Sequence, residues 1–251
     1  MTNASAPMIA TSLKMYFDHD ETIDWTRKVR DIALRSSDIR EGQGKLVIFP
    51  SFPSLPEVLE IVGDAPIFVG AQNMAVAAHG PYTGEVSART LRQIGCTYVE
   101  LGHFERKKFF GETPDDVRAK VSLATEENLI PLICLGEEKQ MSPEQAGDIC
   151  IDFIAHVTGG ITTPSHHLVF AYEPEWAIGA AEPASASYVR SVASRVGSWL
   201  RKQPGLESSN LIYGGSAGPG LLTKLKGPVD GLFLGRFAHD PAALEAVLNE
   251  I

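Results

Sequence analysis

Eight short apolar runs alternate with amphipathic helical patterns along 251 residues, which predicts an α/β protein built as one (β/α)8 barrel domain over 1–251. The runs span 8–12, 45–50, 66–71, 98–102, 130–136, 168–172, 210–214 and 231–235. Their centres, such as Leu46-Val-Ile-Phe49 and Leu232-Phe-Leu234, are apolar at successive positions rather than alternate ones. Continuous runs suit parallel strands buried on both faces. A doubly wound open sheet fits the alternation alone, but no dinucleotide-binding glycine fingerprint follows the first strand.

The segments between the runs read as helices. Trp25, Val29, Ile32 and Ala33 share one face behind Asp20 and Glu21. Ile149, Cys150, Phe153, Ile154 and Val157 form a second stripe, introduced by Ser142-Pro143-Glu144. Val189, Val192, Val196 and Leu200 form a third. Leu244, Val247 and Leu248 follow Asp240-Pro241, which reads as a cap and first turn.

Composition narrows the function classes. Hydrophobic residues make up 44% of the chain, enough for a sizeable core. No run approaches the ~18 apolar residues of a membrane span, so no membrane partner is expected. Met1 to Pro7 lacks the basic and apolar regions of a secretory signal. Cys96, Cys134 and Cys150 are odd in number and far apart, which disfavours a disulfide framework or zinc site and suits a reducing cytoplasm. With 22 Lys+Arg against 31 Asp+Glu, the chain carries a formal charge of −9. That balance argues against nucleic acid as a partner. An anionic ligand would need positive groups gathered locally.

In a (β/α)8 barrel the chemistry gathers where strands end. The polar residues there are Ser12, Lys14, Gln72, Asn73, His103, Glu105, Glu137, Glu173, Ser216 and Arg236, beside Gly235. Four segments among them carry a family resemblance. Ala71-Gln-Asn, Leu101-Gly-His-Phe-Glu-Arg106, Ala171-Tyr-Glu-Pro-Glu-Trp-Ala-Ile-Gly179 and Tyr213-Gly-Gly-Ser216 stand in the order, and at the strand ends, of the triosephosphate isomerase family. Tyr82-Thr-Gly-Glu85, Phe110-Gly-Glu112 and Cys134-Leu-Gly-Glu137 extend the resemblance over essentially the whole chain.

The resemblance implies a TIM barrel, sugar-phosphate isomerisation through an enediol, and roles for particular residues. Glu173 matches the catalytic base, and His103, opening the stretch after the fourth strand, matches the electrophile that polarises the carbonyl. Lys14 matches the lysine beside phosphate and oxyanion, paired in the family with a glutamate that is here Glu105. Backbone N–H groups at Gly179, Ser216 and Gly235 would cradle the phosphate, where glycine permits close approach. Residues 174–181 would form a lid whose closure excludes water and limits β-elimination of the intermediate. The loop carrying Thr83 would insert beside a second copy, making a homodimer. Proton shuttling needs no organic cofactor, and no metal cluster is evident.

Departures fall at the same site. The family's Asn-x-Lys reads Ser12-Leu13-Lys14, which shortens a substrate-facing side chain. Phe104 replaces a serine whose hydroxyl holds the resting base. Gly-Gly after the eighth strand reads Gly235-Arg236, and the lid tip reads Gly179-Ala-Ala-Glu182. Arg236 either reinforces phosphate binding or points to solvent or a lid carboxylate. The pattern is similar to family members of tetritol (erythritol or threitol) catabolism that convert L-erythrulose 1-phosphate to D-erythrulose 4-phosphate, because Ser12 opens space for one more hydroxymethyl group. Triosephosphate isomerisation in glycolysis is the alternative, and a non-catalytic phosphosugar-binding protein a further one. The last has no need of a base such as Glu173.

Overall fold

The structure, a computed structural model, describes residues 6–159, 167–179, 183–215 and 218–251. Eight parallel strands close into a barrel in sequential order: β1 (Met8–Ser12), β2 (Lys45–Phe49), β3 (Ile67–Ala71), β4 (Tyr98–Leu101), β5 (Ile130–Leu135), β6 (Val169–Tyr172), β7 (Asn210–Gly214) and β8 (Gly231–Leu234). Met8 pairs with Lys45 on one side and with Gly231 on the other, which closes the ring.

The continuous apolar runs follow from this closure. Inward side chains, among them Met8, Val47, Phe49, Leu132, Val169 and Phe233, fill the barrel. Outward ones, such as Ile48, Val99, Ile133 and Leu211, pack against helices. β1, β4, β6, β7 and β8 are buried at every position. Six of the eight predicted runs overshoot the strands by one residue at an end; Gly102, Gly136 and Gly235 instead begin the loops that carry the site.

The principal helices are α1 (His19–Arg35), α2 (Ser37–Arg40), α3 (Leu55–Val62), α4 (Ala88–Ile94), α5 (Phe104–Phe110), α6 (Pro114–Glu126), α7 (Pro143–Thr158), α8 (Ala186–Leu200), α9 (Leu221–Leu225) and α10 (Pro241–Leu248). Their starts are written in the sequence. Asp18, Thr113 and Ser142 each form a capping box with the residue three positions on, and Asp240 accepts from the Ala242 N–H at 3.0 Å. The expected stripes of α1, α8 and α10 are buried. On α7 the stripe is narrower than expected: Cys150, Ile154 and Val157 are buried, whereas Ile149 turns outward and is 43% exposed. One helical step is 100°, so Ile149 lies a full step from Cys150, outside the arc that Cys150, Ile154 and Val157 share. All three cysteines are buried free thiols.

Two glycines fix where Glu173, the first residue past β6, can sit. A Cβ at Gly136 would strike the Glu173 backbone carbonyl, and one at Gly214 would strike its side chain. The strands on either side of β6 therefore leave a glycine-lined slot around this one residue. Gly136→Ala meets backbone and is expected to cost roughly 2–3 kcal/mol by denaturant unfolding. Gly214→Ala meets the Glu173 side chain rather than backbone and should cost less; equal costs would mean that the slot does not constrain the backbone.

Candidate active site

The chain leaves β1 through a strained turn. Lys14 adopts φ +51, in the left-handed region that a residue with a Cβ enters at a cost. Gln72, just past β3, donates from one amide nitrogen to the carbonyls of Lys14 and Phe49, both at 2.9 Å, and so holds the turn. Lys14 Nζ then reaches Glu105 Oε1 at 2.8 Å and lies 5.8 Å over the Phe104 ring. Burial pushes its ammonium down, but Glu105, Glu173 and Glu100 together raise it above its ordinary value. Lys14 stays charged.

His103 caps α5 with its own side chain: Nδ1 accepts from the Glu105 N–H at 3.2 Å. That contact leaves the hydrogen on Nε2. Burial, with the nearby Lys14 charge, pushes the imidazole down to about 3, so the ring is neutral over the physiological range. Nε2 lies 3.6 Å from Glu173 Oε2. Phe104 stacks on the ring at 4.9 Å between centroids, narrowing the cavity where a serine hydroxyl would offer a partner.

Glu173 is 7% exposed, and its Oε2 has no hydrogen-bond partner. Burial pushes its carboxyl up to about 7; Lys14 opposes the shift, and Glu105 and Glu175 add to it. A partnerless carboxylate beside a neutral imidazole N–H is a base held next to a hydrogen-bond donor.

The structure gathers nearly all the sequence-selected residues in one cavity of about 450 Å³. Ser12, Lys14, His103, Phe104, Glu105, Glu173, Gly179, Gly235 and Arg236 all line it. Arg236 is exposed, with its guanidinium 5.7 Å over the Tyr16 ring. Ser216 lies outside the described residues, as does the lid segment beyond Gly179, though Gly215 lines the wall. Among the described residues no group of three or more His, Cys, Asp or Glu could hold a metal ion.

Other motif residues support the cavity rather than line it. Asn73 accepts from the buried Lys120 Nζ at 2.8 Å, and Lys120 also pairs with Glu112. Glu137 anchors the start of the loop after β6: it accepts from the hydroxyls of Tyr172 and Tyr188 and from Trp176 Nε1 at 2.7 Å. A second cavity, of about 420 Å³ under Met141, Ile149 and Phe153, holds no comparable base and donor.

One residue escaped the sequence reading. Glu100 stands inside β4, faces the barrel interior and is 4% exposed. Burial pushes its carboxyl up to about 8; the Ser12 hydrogen bond and Lys14 oppose this, while Glu173 and Glu105 favour it. The signal was available: a carboxylate in the apolar run Tyr98-Val-Glu-Leu101, one residue before the strand end.

Comparison with known proteins places the chain among sugar-phosphate isomerases. A family model described as triosephosphate isomerase matches residues 7–251. An L-erythrulose-1-phosphate isomerase of Pectobacterium atrosepticum is 43% identical over 244 residues, covering 96% of this chain and 94% of its own. A triosephosphate isomerase of Solibacter usitatus is 31% identical, covering 97% of this chain and 98% of its own. A probable triosephosphate isomerase 2 of Listeria monocytogenes is 32% identical, covering 94% and 93%. The triosephosphate isomerase structure from Bartonella henselae superposes with a TM-score of 0.82 at 24% identity, covering 98% of this chain and all of that one, and so shares the fold.

The buried acid has a thermodynamic consequence. Glu100 holds its proton up to about pH 8 when folded, against about 4.3 in an unfolded chain. The folded state then binds more protons between those values, so stability falls as pH rises through that window. Glu100→Gln removes the penalty. Its gain in unfolding free energy should be larger at pH 8.5 than at pH 5, by on the order of 3 kcal/mol; an equal gain at both would contradict the burial account.

Proposed function

The chain belongs to the triosephosphate isomerase family, and from that premise we propose that it interconverts L-erythrulose 1-phosphate and D-erythrulose 4-phosphate, as in tetritol catabolism. The observation that carries the chemistry is the partnerless Glu173 carboxylate 3.6 Å from the neutral His103 Nε2, with the Lys14 ammonium in the same cavity. The four-carbon substrate is favoured by the greater similarity to the Pectobacterium enzyme and by the short Ser12 side chain at the cavity wall.

The steps follow from the geometry. Glu173 takes the proton from C3, beside the C2 carbonyl, and its raised pKa makes it basic enough to do so near neutrality. His103 Nε2–H and Lys14 Nζ–H stabilise the negative charge that develops on the C2 oxygen. The imidazole gives its hydrogen to that oxygen and recovers one from the C3 hydroxyl, passing through the 2,3-enediol. Glu173 then returns its proton to C2, and the carbonyl has moved by one carbon. No electron acceptor or cofactor enters this balance. The phosphate would lie towards the backbone of Gly179, Gly215 and Gly235, with Arg236 at the rim.

We assign the eight units to one isomerase domain and place it in the cytoplasm, where buried free thiols persist. Among the described residues no helix is long and apolar enough to cross a membrane. Met15, Tyr82, Phe109 and Phe110 are large, apolar and exposed, and they suit the proposed homodimer through the loop containing Thr83.

Purified enzyme should show a higher kcat/KM on L-erythrulose 1-phosphate than on dihydroxyacetone phosphate; the reverse order would return the chain to triose chemistry. Glu173→Gln should lower kcat by roughly 10²- to 10⁴-fold on either substrate. Because Glu173 acts ionised, kcat/KM should fall as pH drops through about 7. Light scattering should give the mass of two chains, and a monomer would remove the dimer from this reading.

A further inference from the structure

Ser12 and Glu100 meet beneath the cavity floor, where the Ser12 side chain favours the Glu100 charge, although they come from strands that do not pair. Ser12 lines the cavity, and Glu100 lies behind it inside the barrel. One Glu100 oxygen, Oε2, is buried with no partner. A carboxyl group in this position is expensive to keep, and packing alone is served as well by an apolar residue. The isomerisation steps above make no use of it.

We propose that Glu100 sets the polarity of the Ser12 hydroxyl, and that through Ser12 it is a positioning residue for a reacting oxygen of the sugar phosphate. A hydroxyl has one hydrogen to give. When Glu100 carries a proton, it donates to Ser12 Oγ, and the Ser12 hydrogen is free to point into the cavity. When Glu100 is ionised, Ser12 donates down to it, and only lone pairs face the substrate. An oxygen gaining negative charge in the enediolate is stabilised by the first arrangement and repelled by the second. The protonated form is therefore the productive one.

The charged groups facing Glu100 favour that form near neutrality. Glu173 beyond β6 and Glu105 on α5 disfavour a further negative charge, and Lys14 after β1 only partly offsets them. Cys134 on β5 stays a thiol, since burial pushes it far up. His103 at the end of β4 is neutral. The neutral acid in turn spares Glu173 a like charge, so one carboxyl is held protonated while its neighbour acts as the base.

This inference rests on the isomerase reading, and the test separates the two. Steady-state kinetics from pH 6 to 9.5 would compare the parent with Glu100→Gln, Glu100→Leu and Ser12→Ala, using L-erythrulose 1-phosphate and dihydroxyacetone phosphate. In the parent, kcat should decline about tenfold per pH unit above pH 8. Glu100→Gln, whose amide N–H donates to Ser12 at every pH, should lose that decline and exceed the parent at pH 9. Glu100→Leu should fall about tenfold below Glu100→Gln in kcat, with KM within about threefold, because the lost contact forms in the transition state. Ser12→Ala, which leaves Glu100 in place, should also lose the alkaline decline. An infrared difference spectrum of parent minus Glu100→Gln should carry a protonated-carboxyl band at pH 7 that is gone by pH 9.5. A parent inactive on both sugars would remove the isomerase reading and this inference with it. An active parent whose alkaline decline survives in Glu100→Gln or Ser12→Ala would overturn this inference alone, as would equal kcat in the two Glu100 variants or an absent infrared band.

Discussion

Three carboxyl groups share the field of one ammonium at the mouth of the barrel. Lys14 pairs with Glu105, and its charge also acts on Glu173, Glu100 and His103. Every other property of the site follows from that imbalance. Burial, with help from the cation, keeps the imidazole neutral, and the cation partly offsets the burial of Glu173, which remains basic near neutrality. It cannot satisfy all three acids, so the most deeply placed one, Glu100, retains its proton. In an acidic chain of net charge −9, Lys14 supplies a positive group where the proposed sugar-phosphate substrate would bind.

The scaffold holds this balance at some local cost. Lys14 sits in the left-handed region, and Gln72 ties its carbonyl to that of Phe49. Glu173 occupies a slot that Gly136 and Gly214 leave open, at the end of a strand buried throughout. Glu137 gathers two tyrosines and a tryptophan at the start of the loop after β6. Strain and buried charge are concentrated at one end of the barrel, while the apolar interior below it supplies stability.

Much of this was legible in the sequence. Continuous apolar runs located all eight strands, because a strand buried on both faces has no polar side to interrupt the pattern. Strand ends were read one residue too far where glycine leaves the ladder to start a loop. The α7 stripe was read too wide because Ile149, one helical step from Cys150, falls at the edge of the face that packs inward. Lys14, His103 and Glu173 were found because they stand just past strand ends within ordered motifs. Gln72, Asn73 and Glu112 belonged to the same motifs, but only coordinates separate residues that line a cavity from those that hold its walls. Glu100 was missed because a single acid in a strand looks like surface until the barrel closes around it.

Isomerisation in deuterium oxide, followed by proton NMR of the product, tests most directly whether this buried carboxylate moves a proton rather than a hydride. Exchange at Glu173 between abstraction and return predicts D-erythrulose 4-phosphate carrying deuterium at the carbon that entered as the carbonyl, with no label at the outer carbons. Conversion without any deuterium at that carbon, at a rate that Glu173→Gln leaves unchanged, would mean a direct hydride shift, and the proposed role of Glu173 would be wrong.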